Sequence, residues 1–226
     1  MPRSHDCCLC SQIAGDPYND LIAKLLPDLP YVRRIMLEDA AFAVMPSLGP
    51  LVPGHSLLCP KAHVRSFAAL DRHLHGAYAQ MKAALRHRLR ERHGGEIHLF
   101  EHGMASSGDR VVCTVEHAHM HFVPLPAGFD AGLGDGWIAF DGSLDVLREL
   151  SSGVEYVLYE SPGLDGTPGG TAHLLKPGGR GIESQHMRRL IAGALGPGMH
   201  WNWRTTPDAP SADQTWRGFV SGVAPT

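Results

Sequence analysis

Val115-Glu116-His117-Ala118-His119-Met120-His121-Phe122-Val123-Pro124 sets three histidines in alternation with Ala118, Met120 and Phe122, and closes on a proline. Successive side chains of a β-strand point to opposite faces, whereas a helix would scatter residues at this spacing around its axis. The spacing therefore predicts a strand over 115–124. One face carries His117, His119 and His121, each roughly 7 Å from the next, and the other offers apolar groups to a core. Histidine is not a favoured strand residue, so packing alone explains three in register poorly. Imidazoles lined up in this way can grip a phosphate, a metal ion or both. The plain alternative is a strand whose outer face is histidine-rich and scavenges metal.

Upstream, Glu96-Ile97-His98-Leu99-Phe100-Glu101 reads as another strand, joined to the first by a glycine- and serine-bearing loop from His102 to Arg110. Phe67, Leu70, Leu74, Tyr78, Met81, Leu85 and Leu89 recur at helical spacing and predict a helix over 66–93, ended by Gly94-Gly95. Arg86, Arg88, Arg90 and Arg92 crowd its C-terminal end, where cations suit the helix dipole. They read as a solvated face, with attraction of phosphate as the alternative. Residues 34–39 and 41–45 flank an acidic turn as a hairpin, and His55-Ser56-Leu57-Leu58-Cys59 makes a third strand before Pro60-Lys61-Ala62-His63. Cys7-Cys8-Leu9-Cys10 contains a C-x-x-C, which is a redox pair or half of a zinc site.

The 226 residues suit one large domain, or a small one with a sizeable extension, and 43% hydrophobic content supports a core. A net charge of −3 lacks the basic footprint of a nucleic-acid binder. No apolar run approaches a membrane span, and the N-terminus lacks a signal peptide's apolar stretch. Five cysteines, three crowded at Cys7, Cys8 and Cys10, do not read as a disulfide framework, so a reducing cytoplasm is expected.

The histidine run followed by Phe122 and Val123 resembles the signature of the HIT (histidine triad) superfamily, and the element order over residues 7–126 is similar to that family's fold. The resemblance implies an α+β chain: a HIT-like antiparallel sheet with a long packed helix over 1–126, and a smaller α+β extension over 127–226 packing on it. The C-x-x-C and Pro60-Lys61-Ala62-His63 resemble the zinc-bearing bacterial members. That likeness implies a structural Zn²⁺ held by Cys7, Cys10, His63 and His117, a closed Cys₂His₂ set. It also implies that His119 is a nucleophile attacking the α-phosphorus of a nucleotide, while His121 binds the phosphate oxygens. His55 matches a family position lining the pocket, and Thr114 one near the leaving group. A plain core or surface role for His55, and plain strand preference for Thr114, are the alternatives.

The chain also departs from the family pattern. The common Asn-x-Gly before the triad reads Glu101-His102-Gly103, Gly-Gln becomes Val112-Cys113, and Ser47 stands where many members carry an aspartate for the ribose. These changes leave the phosphate end intact and put the nucleoside end in question. Glu101 is expected to repel an extra phosphate, or to bind a substrate amine or hydroxyl or hold a triad histidine protonated.

Beyond Pro126, Ser143 to Leu150 reads as a short helix capped by Ser143, and 155–159 with 171–175 as a hairpin. Residues 184–195 form an amphipathic helix, and the tail carries Trp201, Trp203-Arg204 and Trp216. This half, with Gln185, Arg188 or Arg189, and Trp203-Arg204, resembles the extension of CwfJ-type HIT-like proteins; it is expected to cover the sheet and lend Gln185 or Arg188 to the pocket rim, the alternative being a cover alone. The expected function is hydrolysis of a small-molecule nucleotide through a nucleotidyl-His119 intermediate. The transferase branch resembling galactose-1-phosphate uridylyltransferase has glutamine in place of the third histidine, and this chain keeps His121. Transfer or phosphorolysis stays open, as does a homodimer. The alternative is a non-catalytic nucleotide- or RNA-binding module of CwfJ type.

Overall fold

The computed structural model describes residues 7–104, 115–162, 171–178 and 181–222. Its elements are α1 (Cys8–Ala14), α2 (Leu21–Leu25), β1 (Leu37–Glu38), β2 (Phe42–Pro46), β3 (Ser56–Pro60), α3 (His75–His93), β4 (Glu96–Gly103) and β5 (Met120–Leu125). They continue with β6 (Trp137–Phe140), α4 (Leu144–Ser151), β7 (Tyr156–Glu160), β8 (Ala172–Leu175), α5 (His186–Leu195) and α6 (Ala209–Ser221). The strands form one eight-stranded antiparallel sheet in the order β1-β2-β3-β5-β4-β7-β8-β6. The fold is α+β, with helices on both faces of the sheet.

Alternation along the strands assigns the faces. Val44, Leu58, Leu99, Met120, Phe122 and Leu158 point to one side, where Tyr78, Met81, Leu85 and Leu89 of α3 meet them. Phe100, Val123, Val157 and Tyr159 point to the other, under Met187, Ile191 and Ala192 of α5. Nearer β2, Leu9 and Ile13 of α1 pack on Met45, Leu57 and Cys59. Residues from the two ends of the chain thus wall the same face, and His121 lies between them, paired with Leu57 on β3 and Phe100 on β4.

Several boundaries differ from the expected ones, among them β4, which runs on to Gly103 and so takes in His102. The histidine strand begins at Met120, because the segment before it spends its hydrogen bonds elsewhere: Ala118 N–H donates to Val64 O at 2.7 Å, and the His117 ring bonds Pro60 O at 2.8 Å. The long helix begins at His75, since 67–69 and 72–74 form separate 3₁₀ turns and Asp71 caps the second through His73 N. The first strand of the hairpin shrinks to Leu37–Glu38. Four elements had no sequence expectation: α1, α2, β6 and α6. The edge strand β6 pairs with β8, and α6 starts at a Pro210-bearing first turn capped by Asp208. Asp213 of α6 holds the buried Arg34 guanidinium at 2.7 Å, which ties the end of the described chain to the segment ahead of β1.

Among the described residues, no helix is long and apolar enough to cross a membrane.

Candidate functional site

The first histidine of the run faces a cluster of thiols. The ligand atoms of Cys7, Cys10, His63 and His117 all lie within 4.8 Å of one another. Cys10 Sγ is 3.2 Å from His63 Nδ1 and 3.3 Å from His117 Nδ1, and Cys7 Sγ is 3.6 Å from His117 Nδ1. Ligands at Zn–S and Zn–N bond lengths with tetrahedral angles stand about 3.6 Å apart, so the cluster is already near the size of a zinc shell. The His117 tautomer agrees with that use. A backbone carbonyl only accepts, so Nε2 carries the proton given to Pro60 O, and the Nδ1 lone pair points at the sulfurs. Burial pulls the His117 pKa down to about 4, which keeps the ring neutral. Burial and the neighbouring Cys7 push Cys10 up to about 12, a charge state that a bound dication would reverse.

The other two histidines are wired by the same logic. Leu51 N–H donates to His55 Nδ1 at 3.1 Å, so the neutral His55 ring carries its proton on Nε2. That proton is given to His121 Nδ1 at 2.8 Å, which leaves the His121 proton on Nε2. His121 stacks on Phe100 with centroids 4.1 Å apart and nearly parallel planes. His119 Nδ1–H donates to His117 O at 2.7 Å, so its Nε2 is a bare lone pair. Burial lowers the pKa of His55, His119 and His121, and neighbouring cations lower each further, so the three rings are neutral near pH 7. A lone pair on His119 therefore sits beside an N–H donor on His121.

Residues 32–127, which include the whole histidine run, match the HIT domain family model. The chain carries a HIT domain. The fold is similar to that of a zinc-bound histidine triad family protein from Mycobacterium smegmatis, at 21% identity over 55% of this chain and 78% of that one, TM-score 0.40. It is similar also to a HIT family member from Bacillus subtilis, at 22% identity over 65% and 93% of the two chains, TM-score 0.41. A Hit-like protein from Bartonella henselae aligns at 25% identity over 50% and 82%, TM-score 0.35. Among curated proteins none matches.

The HIT-domain histidines open onto two adjoining cavities that share Val115, His119, His121, Arg188 and Trp203. One cavity is walled by Leu9, Leu21, Ser47, Leu48 and Leu57. The other is more polar, with His102, Ser184, Gln185 and His186. Arg188 stands at their junction. Its Nε donates to Trp201 O at 2.7 Å and its Nη2 to Gly49 O, while Nη1 is buried and has no partner among the described residues. Gly49 lets Trp203 pack close to this carbonyl, for at its φ of +70° an added Cβ would lie 2.9 Å from Trp203 Cβ. Arg188 is 3% exposed, and burial lowers its pKa to about 10. It stays charged at neutral pH, and its acceptors among the described residues are the carbonyls of Trp201 and Gly49.

Of the other expected residues, Ser47 lines the apolar cavity and His55 is wholly buried behind His121. The Gln185 amide is used on the tail: it donates to Asn202 Oδ1 at 3.0 Å and accepts from Trp203 N at 3.4 Å. Thr114 lies outside the described residues. Glu101 requires a correction. It borders the cleft, but its carboxyl turns to the α3 side of the sheet, where Phe67 N–H donates to Oε1 at 2.9 Å and the Tyr156 hydroxyl to Oε2 at 2.5 Å. Strand alternation explains this: Phe100 and His102 face the triad, so Glu101 cannot. Its carboxylate does not meet the imidazoles, so it does not hold a triad histidine protonated. In the sequence His102 reads as the start of a loop, although the alternation that buries Glu101 would have found it, and Trp203 reads only as part of the tail.

Proposed function

We propose that this HIT domain is a hydrolase acting at the α-phosphate of a nucleotide through a covalent nucleotidyl-His119 intermediate. The observation that carries the reading is the hydrogen bond from His119 Nδ1 to His117 O, which leaves Nε2 unprotonated in the cleft. That lone pair attacks phosphorus, the bond to the leaving group breaks, and water then removes the nucleotidyl group in a second displacement. His121 Nε2–H and the unspent Arg188 N–H are suited to the non-bridging oxygens, where negative charge builds in the transition state. The apolar cavity suits a nucleoside and the polar one a leaving group. The substrate is a small nucleotide conjugate, a phosphoric anhydride or phosphoramidate. The Cys₂His₂ cluster would hold zinc in a structural role. Its ligand set is closed, so the metal steadies α1 and the loop ahead of β5 rather than touching substrate.

The test is incubation with dinucleoside polyphosphates and nucleoside phosphoramidates, followed by analysis for mononucleotide. Wild type should release it, and His119→Asn should lose on the order of 10³-fold or more in kcat while keeping its fold. Full activity in folded His119→Asn would overturn the covalent reading. Binding of nucleotide without release of product would favour the non-catalytic alternative.

A further inference from the structure

The register between β4 and β5 runs from Glu96↔Leu125 to Phe100↔His121. The pairing ends there, since β5 starts at Met120, but strand alternation keeps His102 of β4 on the sheet face that Phe100 shares with His121. His102 lines the polar cavity together with His119. Its Nε2 lies 2.6 Å from Glu155 Oε1. A carboxylate only accepts, so that nitrogen carries the proton, and the ring is fixed in orientation by a residue just ahead of β7. The other nitrogen, Nδ1, is buried and has no partner among the described residues. A buried ring nitrogen without a partner is uncommon. One beside a nucleophile and backed by a carboxylate has the form of a proton-transfer dyad.

We propose that His102, oriented by Glu155, is the general acid that protonates the leaving group, and that the substrate class is one whose leaving atom needs a proton, such as an alkylamine or alcohol. This rests on nucleotidyl transfer to His119. In the first displacement the His119 Nε2 lone pair forms the N–P bond and the bond from phosphorus to the leaving atom breaks. Its electron pair stays on that atom, which takes the Nδ1 proton of His102 in its doubly protonated, imidazolium form, while Nε2–H stays on Glu155. In the second displacement the now neutral His102 Nδ1 takes a proton from the attacking water, and the P–N bond to His119 breaks. His102 ends as it began. The groups facing this step are Glu155 behind the ring, with His119, His186 and Arg188 around the cavity.

The experiment compares two adenosine 5′-phosphate derivatives, one with an alkylamine leaving group and one with 4-nitrophenol, which departs without protonation. General acids contribute about 10²–10⁴-fold. His102→Gln is expected to lose at least about a hundredfold in kcat/KM on the alkylamidate and far less on the nitrophenyl ester. Glu155→Gln should show the same selective loss, smaller in size. Equal losses on both substrates would overturn the acid and leave His119 chemistry standing. Failure of wild type on both substrates would overturn the nucleotidyl-transfer reading and this inference with it.

Discussion

His55 and the three histidines of the run each have their proton assigned by one backbone or ring partner. Leu51 N–H sets His55, His55 sets His121, His117 O sets His119, and Pro60 O sets His117. Neutral rings, one presenting a lone pair and one a donor, are the consequence. The alternation of His117, His119 and His121 was legible in the sequence. The carbonyls that assign the protons were not, since Pro60 is 57 residues away along the chain from His117. Glu101 shows the same limit from the other side. Its position read as part of the pocket, but its strand parity directs it under Tyr156, whose ring fits there because residue 103 is glycine: a Cβ would lie 2.2 Å from that ring. Burial raises the Glu101 pKa from 4.5 to about 7. The folded protein thus holds a proton that the unfolded chain releases between those values. Its contribution to stability is full below about pH 4.5 and is lost as pH rises through about 7. The span is worth on the order of 3 kcal/mol. Glu101→Gln should therefore gain on wild type as pH rises from 5.5 to 8.5 in thermal melts at saturating zinc. Parallel pH profiles for the two proteins would contradict this.

Helices from the two ends of the chain wall the histidine face. α3 and α5 followed from apolar periodicity, α4 from its Ser143 cap, and the antiparallel sheet from the resemblance to the HIT family. α6 followed from none of these, because its cap at Asp208 and its Pro210 start lie in a stretch that reads as tail until Asp213 finds Arg34. α1 is short, seven residues, with no side-chain cap on its first turn. Isolated helices of that length are marginal, so its position depends on Leu9, Ile13 and the thiol–imidazole cluster. Purified protein should carry about one zinc per chain. Ligand binding to the folded state adds about 4 kcal/mol at free zinc a thousand times Kd. Cys10→Ser should remove the metal and lower Tm, with a smaller effect on the chemical step. Metal analysis finding no zinc in protein prepared without chelator would contradict the assignment.

Across the whole molecule, the sheet runs without a break from the HIT strands into β7, β8 and β6, and α5 lays Arg188 over the cleft. Among the described residues no carboxylate meets the Arg188 guanidinium; burial without a counter-anion is costly, and the phosphoryl group of the proposed substrate is an anion that would offset it. Arg188→Met should therefore cut kcat/KM by about 10²-fold, the usual effect of removing one donor to a developing oxyanion, without loss of bound zinc. An unchanged kcat/KM would mean that the extension serves only as cover. The central claim is that His119 is covalently nucleotidylated. Each in-line displacement inverts phosphorus, so two displacements restore its configuration. The most direct measurement is the stereochemical course of hydrolysis, in ¹⁸O-water, of a nucleotide substrate made chiral at the α-phosphorus with sulfur. The account predicts net retention. Net inversion would mean that water attacks directly, and would contradict it.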